Sequence, residues 1–450
     1  MSYRPLVLVT APVGTRSGYG SHSRDIVRSL IALDRFDIHV WPVRWGGTPQ
    51  NALDEQNPKD VPIIQRIQNQ PKLDRQPDIH FHIVVPNEFQ AHGRFNIGIT
   101  AGLETTNCPG EWIEGLNRMN LNIVPANFVR NSIEKSTFDR LDERTRQKIG
   151  EVRNERPIEV LFEGSDTEIY KPTNEFSKDL VDELKGIEED WCFLFVGHWL
   201  GGPLGHDRKD VGMLVKTFLS TFKGQKKKPA LILKTSSATP SIIDREEILK
   251  KINDIKSTVS GEDLPNIYVL HGDLDDEEMN GLYNHPKVKA HVSFTHGEGF
   301  GRPLLEASLS GKPVIAPNWS GHMDFLDSDA ILLPGSLNDV RPESFPKNMY
   351  VEGSKWFTVN YNYASKVLQG VFNDYDKHLV KAKKLSIKNQ TRFSLDAMTK
   401  NLGDLLDKYL PVFDTPAQQV KLNLPKLKKS SGSGPPKSPP KMELPKLKKG

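Results

Sequence analysis

Residues 296–307 read His296-Gly-Glu-Gly-Phe-Gly-Arg-Pro-Leu-Leu-Glu-Ala307, and an apolar run at residues 288–294 precedes them. This order predicts a buried strand, a glycine-rich loop and an apolar helix. Pro303 fits the first position of that helix, where a backbone N–H is not needed. Because the free N–H groups and the positive dipole end of a helix N-terminus favour an anion, the segment predicts a phosphate-binding turn.

Two glutamates flank the predicted turn. Glu298 lies in the loop, and Glu306 lies one turn inside the helix, eight positions later. A helical side chain points back toward the helix N-terminus, so Glu306 is placed to accept hydrogen bonds from hydroxyl groups beside the phosphate. Gly299 and Gly301 let the backbone approach a ligand closely. A phosphate site next to two such acceptors predicts a nucleotide-sugar ligand.

The same segment resembles the donor signature of retaining glycosyltransferases with the GT-B fold, of the family 4 type (glycosyl transferases group 1). The family's pair of glutamates, separated by seven residues, corresponds to Glu298 and Glu306, and residues 307–325 are also similar to the family. The resemblance implies two Rossmann-like domains that face each other across a cleft. It also implies transfer of a hexose-like sugar from a nucleoside-diphosphate sugar to a carbohydrate or other hydroxyl acceptor, with retention, without a metal and with no cofactor beyond this co-substrate.

Further site residues follow from the resemblance. Arg208 and Lys209 end a glycine-rich loop and correspond to the family's cations for the donor diphosphate, where fixed positive charge stabilises the leaving group. The family usually places its Arg several residues before the Lys, whereas here they adjoin, which makes Arg302 a substitute cation. The acidic run at residues 273–278 predicts a helix N-terminus rather than a metal site.

The predicted site consists of three groups of residues. The catalytic candidates are Glu298, Lys209 and Arg208. The donor-binding candidates are Glu306, Gly299, Phe300, Gly301, Arg302, His271 and Gly272. The acceptor-side candidates are Gly18 and Gly20, in a predicted loop at residues 14–20, together with Glu104.

The organisation of the chain follows from alternating strand and helix patterns over residues 1–410, which predict an α/β protein with parallel sheets. At 450 residues the chain is too long for one ordinary core. We predict an N-terminal Rossmann-like acceptor domain at residues 1–172 and a C-terminal Rossmann-like donor domain at residues 173–390. A helix within residues 391–410 is expected to cross back to the first domain.

The composition limits the class of protein. A hydrophobic content of 37% and a charged content of 26% fit a soluble globular protein, and no apolar run reaches the length of a membrane span. The apolar stretch at residues 6–10 is too short for a signal peptide. The presence of only two cysteines, Cys108 and Cys192, argues against a disulfide framework, and no Cys/His spacing indicates zinc. We therefore expect a cytoplasmic protein without a metal site.

Residues 411–450 have the Pro/Ser/Lys composition of a disordered basic tail. The last 30 residues hold nine lysines and one glutamate, a net +8, so the rest of the +3 chain carries about −5. The motif LPKLKK occurs twice, within residues 421–429 and 441–449. This tail is either a solubilising segment, a bivalent docking element for an acidic partner, or an attachment to nucleic acid or an anionic membrane.

Other functions stay open at this stage. Two carboxylates also occur in glycoside hydrolases, but the position of Glu306 at a phosphate-binding helix argues against that class. A non-catalytic nucleotide-sugar-binding scaffold is one alternative. A nucleic-acid-modifying glycosyltransferase tethered by its basic tail is the other.

Overall fold

The computed structural model describes residues 3–68, 73–237, 241–344 and 351–414. The predicted disordered tail with its two LPKLKK repeats lies outside the described residues, except for its first four positions. Within the described ranges, no helix combines the length and the apolar character that crossing a membrane requires.

The first half of the chain builds a six-stranded parallel sheet with the strand order β2-β1-β3-β4-β5-β8. Its elements are β1 (Leu6–Ala11), α1 (Gly18–Ala32), β2 (Asp37–Pro42), α2 (Val61–Ile64), β3 (Ile79–Ile83), β4 (Phe95–Ile99), α3 (Gly110–Asn117), β5 (Leu121–Val124), α4 (Asn127–Lys135), β6 (Phe138–Leu141), β7 (Lys148–Val152) and β8 (Ile158–Val160). Every residue of β1 and β3 is buried, as expected for parallel strands covered on both faces. The strands β6 and β7 form a separate antiparallel hairpin.

The second half repeats this architecture with the strand order β11-β10-β9-β12-β13-β14. Its elements up to the second hairpin are α5 (Lys178–Leu184), β9 (Cys192–Val196), α6 (Val211–Phe222), β10 (Ala230–Lys234), α7 (Ile242–Thr258), β11 (Ile267–Leu270), α8 (Asp276–Asn284), β12 (Val288–Val292), α9 (Arg302–Leu309), β13 (Val314–Pro317), β14 (Ile331–Leu333), β15 (Gly335–Asp339) and β16 (Lys355–Val359). The strands β15 and β16 pair antiparallel.

Three helices end the described chain: α10 (Tyr361–Asn373), α11 (Tyr375–Arg392) and α12 (Leu395–Tyr409). The helix α12 does not pack on the second sheet. Its apolar face, Met398, Leu402 and Leu406, is fully buried in the core of the first half. The last helix therefore ties the two halves together.

Two parallel six-stranded sheets, each within its own layers of helices, confirm the predicted α/β class. The strand predicted at residues 288–294 is β12, which ends two residues earlier, and the helix predicted after the glycine loop is α9. The domain boundaries at residues 172 and 390 stay predictions, because residues up to Phe413 belong to one compact unit.

One local prediction near the site is wrong. The predicted loop at residues 14–20 ends early, because α1 already begins at Gly18. Ser17 is the N-cap, and its Oγ accepts the N–H of Gly20 at 3.0 Å. A Cβ at Gly20 would lie 2.1 Å from the carbonyl oxygen of Thr15, so this glycine lets the helix start fold back onto the preceding loop.

Candidate active site between the two halves

The glycine loop at residues 295–301 connects β12 to α9 as the sequence predicted. Gly301 is the N-cap of α9 at φ 96°, a left-handed conformation that favours glycine, and Pro303 lies in the first turn. The loop packs on the opposite half of the molecule. A Cβ at Gly299 would lie 1.8 Å from the carbonyl oxygen of Ala101, and a Cβ at Gly297 would lie 2.1 Å from that of Glu104. These two glycines permit close backbone contact between the halves.

The neighbouring loop at residues 197–210 is fixed by its own polar contacts. The carboxylate of Asp207 accepts the N–H groups of Val211 at 3.0 Å and Gly212 at 3.3 Å, which anchors the start of α6. The backbone N–H of His296 donates to the carbonyl oxygen of Arg208 at 3.2 Å. These contacts hold the loop ending in Arg208 and Lys209 beside the glycine loop.

Four of the predicted residues meet at this place, and we call Glu104, Arg208, Lys209 and Glu298 the junction cluster. The ammonium of Lys209 lies 2.6 Å from Oε1 of Glu298 and 3.3 Å from Oε1 of Glu104. The guanidinium of Arg208 also donates to Glu104. The backbone N–H of Glu298 is held by Ser320 Oγ at 3.0 Å. Glu104, predicted to lie on the acceptor side, is therefore paired with Arg208 and Lys209 of the second half.

Arg302 organises a second group of charges, which we call the Arg302 cluster: Asp25, Arg302 and Glu306. Its guanidinium lies 2.8 Å from Oε1 of Glu306, one turn along α9, and 2.6 Å from Oδ2 of Asp25 on α1. Burial raises the pKa of Glu306 to about 7 even with Arg302 beside it. Tyr283 approaches the second carboxylate oxygen of Glu306 at 3.4 Å. These contacts hold Glu306 in the first turns of α9, the position that the sequence predicted.

A cavity of about 560 Å³ lies between the halves. This volume falls within the range of roughly 300–1,000 Å³ that small-molecule sites occupy. The walls include Arg16, Gly18 and Arg24 from the first half and Lys234, Arg302 and Glu306 from the second. Among the residues that the structure describes, Gly18, Arg302 and Glu306 are the only predicted site residues that line this cavity.

The remaining donor-side predictions have structural partners. The ring of His271 contacts Asp244 Oδ2 at 2.8 Å, so it is tied to α7. Gly272 has φ 115°, and its carbonyl oxygen accepts a hydrogen bond from Lys234 at 2.5 Å. The side chain of Phe300 is buried and packs on Phe325 with a ring-centroid distance of 5.0 Å. The side chains of His271 and Phe300 therefore already contact other residues of the protein, and these contacts hold the local backbone in place.

Two acidic residues at this site were not predicted. Asp25 lies on the buried face of α1 and joins Arg302 to the first half, where Arg28 also contacts it at 3.1 Å. Glu163 follows β8 and is 6% exposed. Burial raises the pKa of Glu163 to about 8, and although Arg302 opposes the shift, Asp25 and Glu306 add to it. A charged residue amid the apolar positions of α1 was the one signal in the sequence for Asp25.

Glu163→Gln is expected to stabilise the protein at pH 9 relative to wild type, and much less at pH 5. A carboxyl whose pKa rises from 4.5 to about 8 on folding favours the folded state below pH 4.5, and this contribution is lost as the pH rises through about 8. A glutamine stays neutral and keeps the contribution at every pH. Thermal melts at pH 5, 7 and 9 measure the difference.

The exposed Glu175→Gln is the matched control, and its melting temperature should differ from wild type by the same small amount at each pH. An equal effect of Glu163→Gln at pH 5 and pH 9 would contradict the assignment of a protonated Glu163.

Within the described ranges, no group of three or more His, Cys, Asp or Glu side chains is arranged to hold a metal ion. The acidic run after β11 has a different use. Asp275 is the N-cap of α8 and Glu278 completes a capping box with it, so these acids mark a helix N-terminus as predicted.

Comparisons with known proteins place this architecture. No protein-family model matches the chain, and no curated protein matches it. The sucrose-phosphate synthase of Thermosynechococcus elongatus is similar with a TM-score of 0.60 at 13% identity, over 90% of this chain and 99% of that chain. HepE of Anabaena in complex with UDP-glucose is similar with a TM-score of 0.57 at 15% identity, over 90% of this chain and 100% of that chain.

A third similar structure, described as trehalose-6-phosphate from E. coli bound with UDP-2-fluoro glucose, has a TM-score of 0.55 at 12% identity, over 90% of this chain and 100% of that chain. At these identities the similarity concerns the fold. The chain has the GT-B fold, with two Rossmann-like halves around a cleft.

Proposed function

We propose that this protein is a glycosyltransferase that moves a sugar from a nucleoside-diphosphate sugar to a hydroxyl group of an acceptor. The observation that carries the proposal is the junction cluster. Lys209 and Glu298 are 89 positions apart in sequence, yet they lie 2.6 Å apart at the interface of two Rossmann-like halves. A fixed cation at this place can stabilise the charge on a departing phosphate, and the half-buried carboxylate beside it can accept hydrogen bonds from the hydroxyl groups of the donor sugar.

The roles follow from the positions of the charges. Arg208 and Lys209 would neutralise the negative charge that develops on the leaving diphosphate as the bond to the sugar breaks. Glu298 would orient the hydroxyl groups of the donor sugar. Glu306, at the N-terminus of α9 and on the cavity wall, would accept hydrogen bonds from the nucleotide's sugar hydroxyls.

The donor class is supported by two observations. The cavity between the halves has room for a nucleotide-sugar, and both cationic groups lie at the start of a helix of the second half. HepE and the E. coli structure contain UDP-glucose and a UDP-2-fluoro glucose, and we propose the same chemical class of donor for this chain. Retention of configuration and independence of metal ions are part of the proposal and rest on the resemblance of residues 296–325 to family 4.

Glu306→Gln is expected to weaken the binding of one nucleoside diphosphate by roughly 10- to 100-fold, the value of a lost charge-assisted hydrogen bond. Glutamine keeps the shape of the side chain, so the change removes charge and acceptor strength rather than volume. Isothermal titration calorimetry with UDP, GDP and ADP, and with their glucose conjugates, measures the effect. Parallel titrations with and without EDTA test the dependence on metal ions.

The exposed Glu262→Gln provides the matched control and should bind like wild type. If no nucleoside diphosphate binds to folded wild-type protein, the proposed function is wrong. Binding that Glu306→Gln leaves unchanged would refute the position of the donor site and leave the fold-based class in place.

A further inference from the structure

Three cations of the site are each paired with a carboxylate of the opposite half. Arg208 and Lys209 contact Glu104, and Arg302 contacts Asp25 at 2.6 Å. All three cations belong to the second half, and both carboxylates belong to the first. Arg208 and Lys209 are the cations that the proposed function assigns to the donor diphosphate, so the carboxylate of Glu104 lies where an oxyanion of that diphosphate is required.

The backbone fixes Glu104 in this position. The hydroxyl group of Tyr19 accepts the N–H groups of Ala101 and Gly102, each at 3.0 Å, which orders the loop before Glu104. From the other side, Gly297 packs so closely on the carbonyl group of Glu104 that a Cβ there would lie 2.1 Å from its oxygen. The loop that carries Glu104 is therefore packed on both sides, and the side chain extends from it to the two cations.

The two neighbouring cations favour the negatively charged form of Glu104. Burial would raise its pKa, but Arg208 and Lys209 outweigh burial and hold the pKa of Glu104 below its ordinary value. Its second oxygen, Oε2, is buried and has no hydrogen-bond partner among the described residues. Because an unmade hydrogen bond on a buried charged oxygen is costly, this pair is a weaker arrangement than a phosphate with donors on all its oxygens.

We propose that Glu104 is a resident anion, which occupies the phosphate subsite formed by Arg208 and Lys209 and is displaced when a nucleoside diphosphate binds. The inference rests on the proposed function, since it takes the same two cations as the donor's phosphate subsite. Displacement lowers the apparent affinity by the fraction of molecules in which the subsite is open. The site is thereby selective for ligands that bring enough negative charge to replace a carboxylate.

The resident anion is tested by Glu104→Gln, which keeps the size of the side chain and removes its charge. Inorganic pyrophosphate and UDP, GDP and ADP are titrated by calorimetry into wild type and the variant at one ionic strength. We expect the variant to bind pyrophosphate and the accepted nucleotide about tenfold more tightly. Uridine, guanosine and adenosine, which carry no phosphate, should bind both proteins alike.

Two control variants distinguish the displacement of Glu104 from an effect of the protein's total charge. Glu111→Gln removes one negative charge from an exposed position of the same half and should leave anion binding unchanged. In the double variant Glu104→Gln/Lys209→Met, the gain from Glu104→Gln should be largely lost, because the subsite itself has lost a cation.

Unchanged or weaker pyrophosphate binding by folded Glu104→Gln would overturn the inference. Tighter pyrophosphate binding with no binding of any nucleotide would support the resident anion and refute the proposed function. If Glu104→Gln does not fold, Tyr19→Phe replaces it, because it loosens the loop that carries Glu104 without altering a charge. Pyrophosphate affinity should then rise, and an unchanged affinity would overturn the inference.

Discussion

Lys209→Met is expected to reduce the rate of sugar transfer by roughly 10²- to 10³-fold, the loss typical of removing one group that stabilises developing charge. Methionine keeps the length and the apolar stem of the side chain, so the packing around a position that is only 10% exposed is retained. The lost ammonium contacts both Glu298 and Glu104. Single-turnover rates with the accepted nucleotide-sugar, at saturating donor, measure the effect on the chemical step.

The loss should appear in the rate more than in the binding of substrate. Charge on the leaving diphosphate is greatest in the transition state, so the interaction with Lys209 strengthens as the bond breaks. Lys223→Met is the matched control, because Lys223 is exposed just beyond the end of the same helix α6 and donates to a backbone carbonyl group, that of Ser260. A transfer rate within a few fold of wild type in folded Lys209→Met would remove Lys209 from the site.

The sequence was most informative where a single local pattern defines an element. The apolar run at residues 288–294 and the apolar segment that follows the glycine loop predicted a strand and a helix, and the structure has β12 at Val288–Val292 and α9 at Arg302–Leu309. Short elements with weak periodicity were missed. The helix Val61–Ile64 was not predicted, because it lies in a segment rich in Pro, Asn, Gln and Asp, yet Ile63 is fully buried. A single apolar turn carries too little pattern to be recognised before its packing is known.

The four residues of the junction cluster were predicted one by one, but their pairings were not. Glu298, Lys209 and Arg208 were each identified from their own loops, and the structure brings all three together with Glu104. That Glu104 contacts the two cations depends on how the halves meet, which is decided by close backbone contacts at Gly297 and Gly299. No local pattern encodes a contact between loops nearly 200 positions apart.

Buried charge was the other difficulty for prediction from sequence. Asp25 and Glu163 looked like ordinary polar positions of a helix and a turn. In the structure both lie near Arg302, and its positive charge acts on both of their pKa values. Their role can be recognised only in the folded structure, where these carboxylates of the first half lie near a cation of the second half.

Gly299→Ala is expected to reduce sugar transfer by about 10²-fold or more, the loss that a misplacement of about 1 Å in a catalytic group can produce. A Cβ at this position would lie 1.8 Å from the carbonyl oxygen of Ala101, which belongs to the backbone and cannot be rotated away. The glycine loop and the loop of the first half must therefore separate. Glu298, next to residue 299, would move away from Glu104, and the cleft would close incompletely around the reacting groups.

Transfer rates and thermal melts measure this effect together, and small-angle scattering reports whether the halves have moved apart. Gly370→Ala is the matched control, because a Cβ there meets no atom within 4 Å and the residue lies inside α10. Alanine in a helix interior is favoured over glycine by about 0.5–1 kcal/mol, so this control should melt at the wild-type temperature or above it and keep its activity. Near-wild-type transfer by Gly299→Ala would mean that catalysis does not require the observed contact between the glycine loop and the first half, and that the junction cluster forms a conformation outside the reaction path.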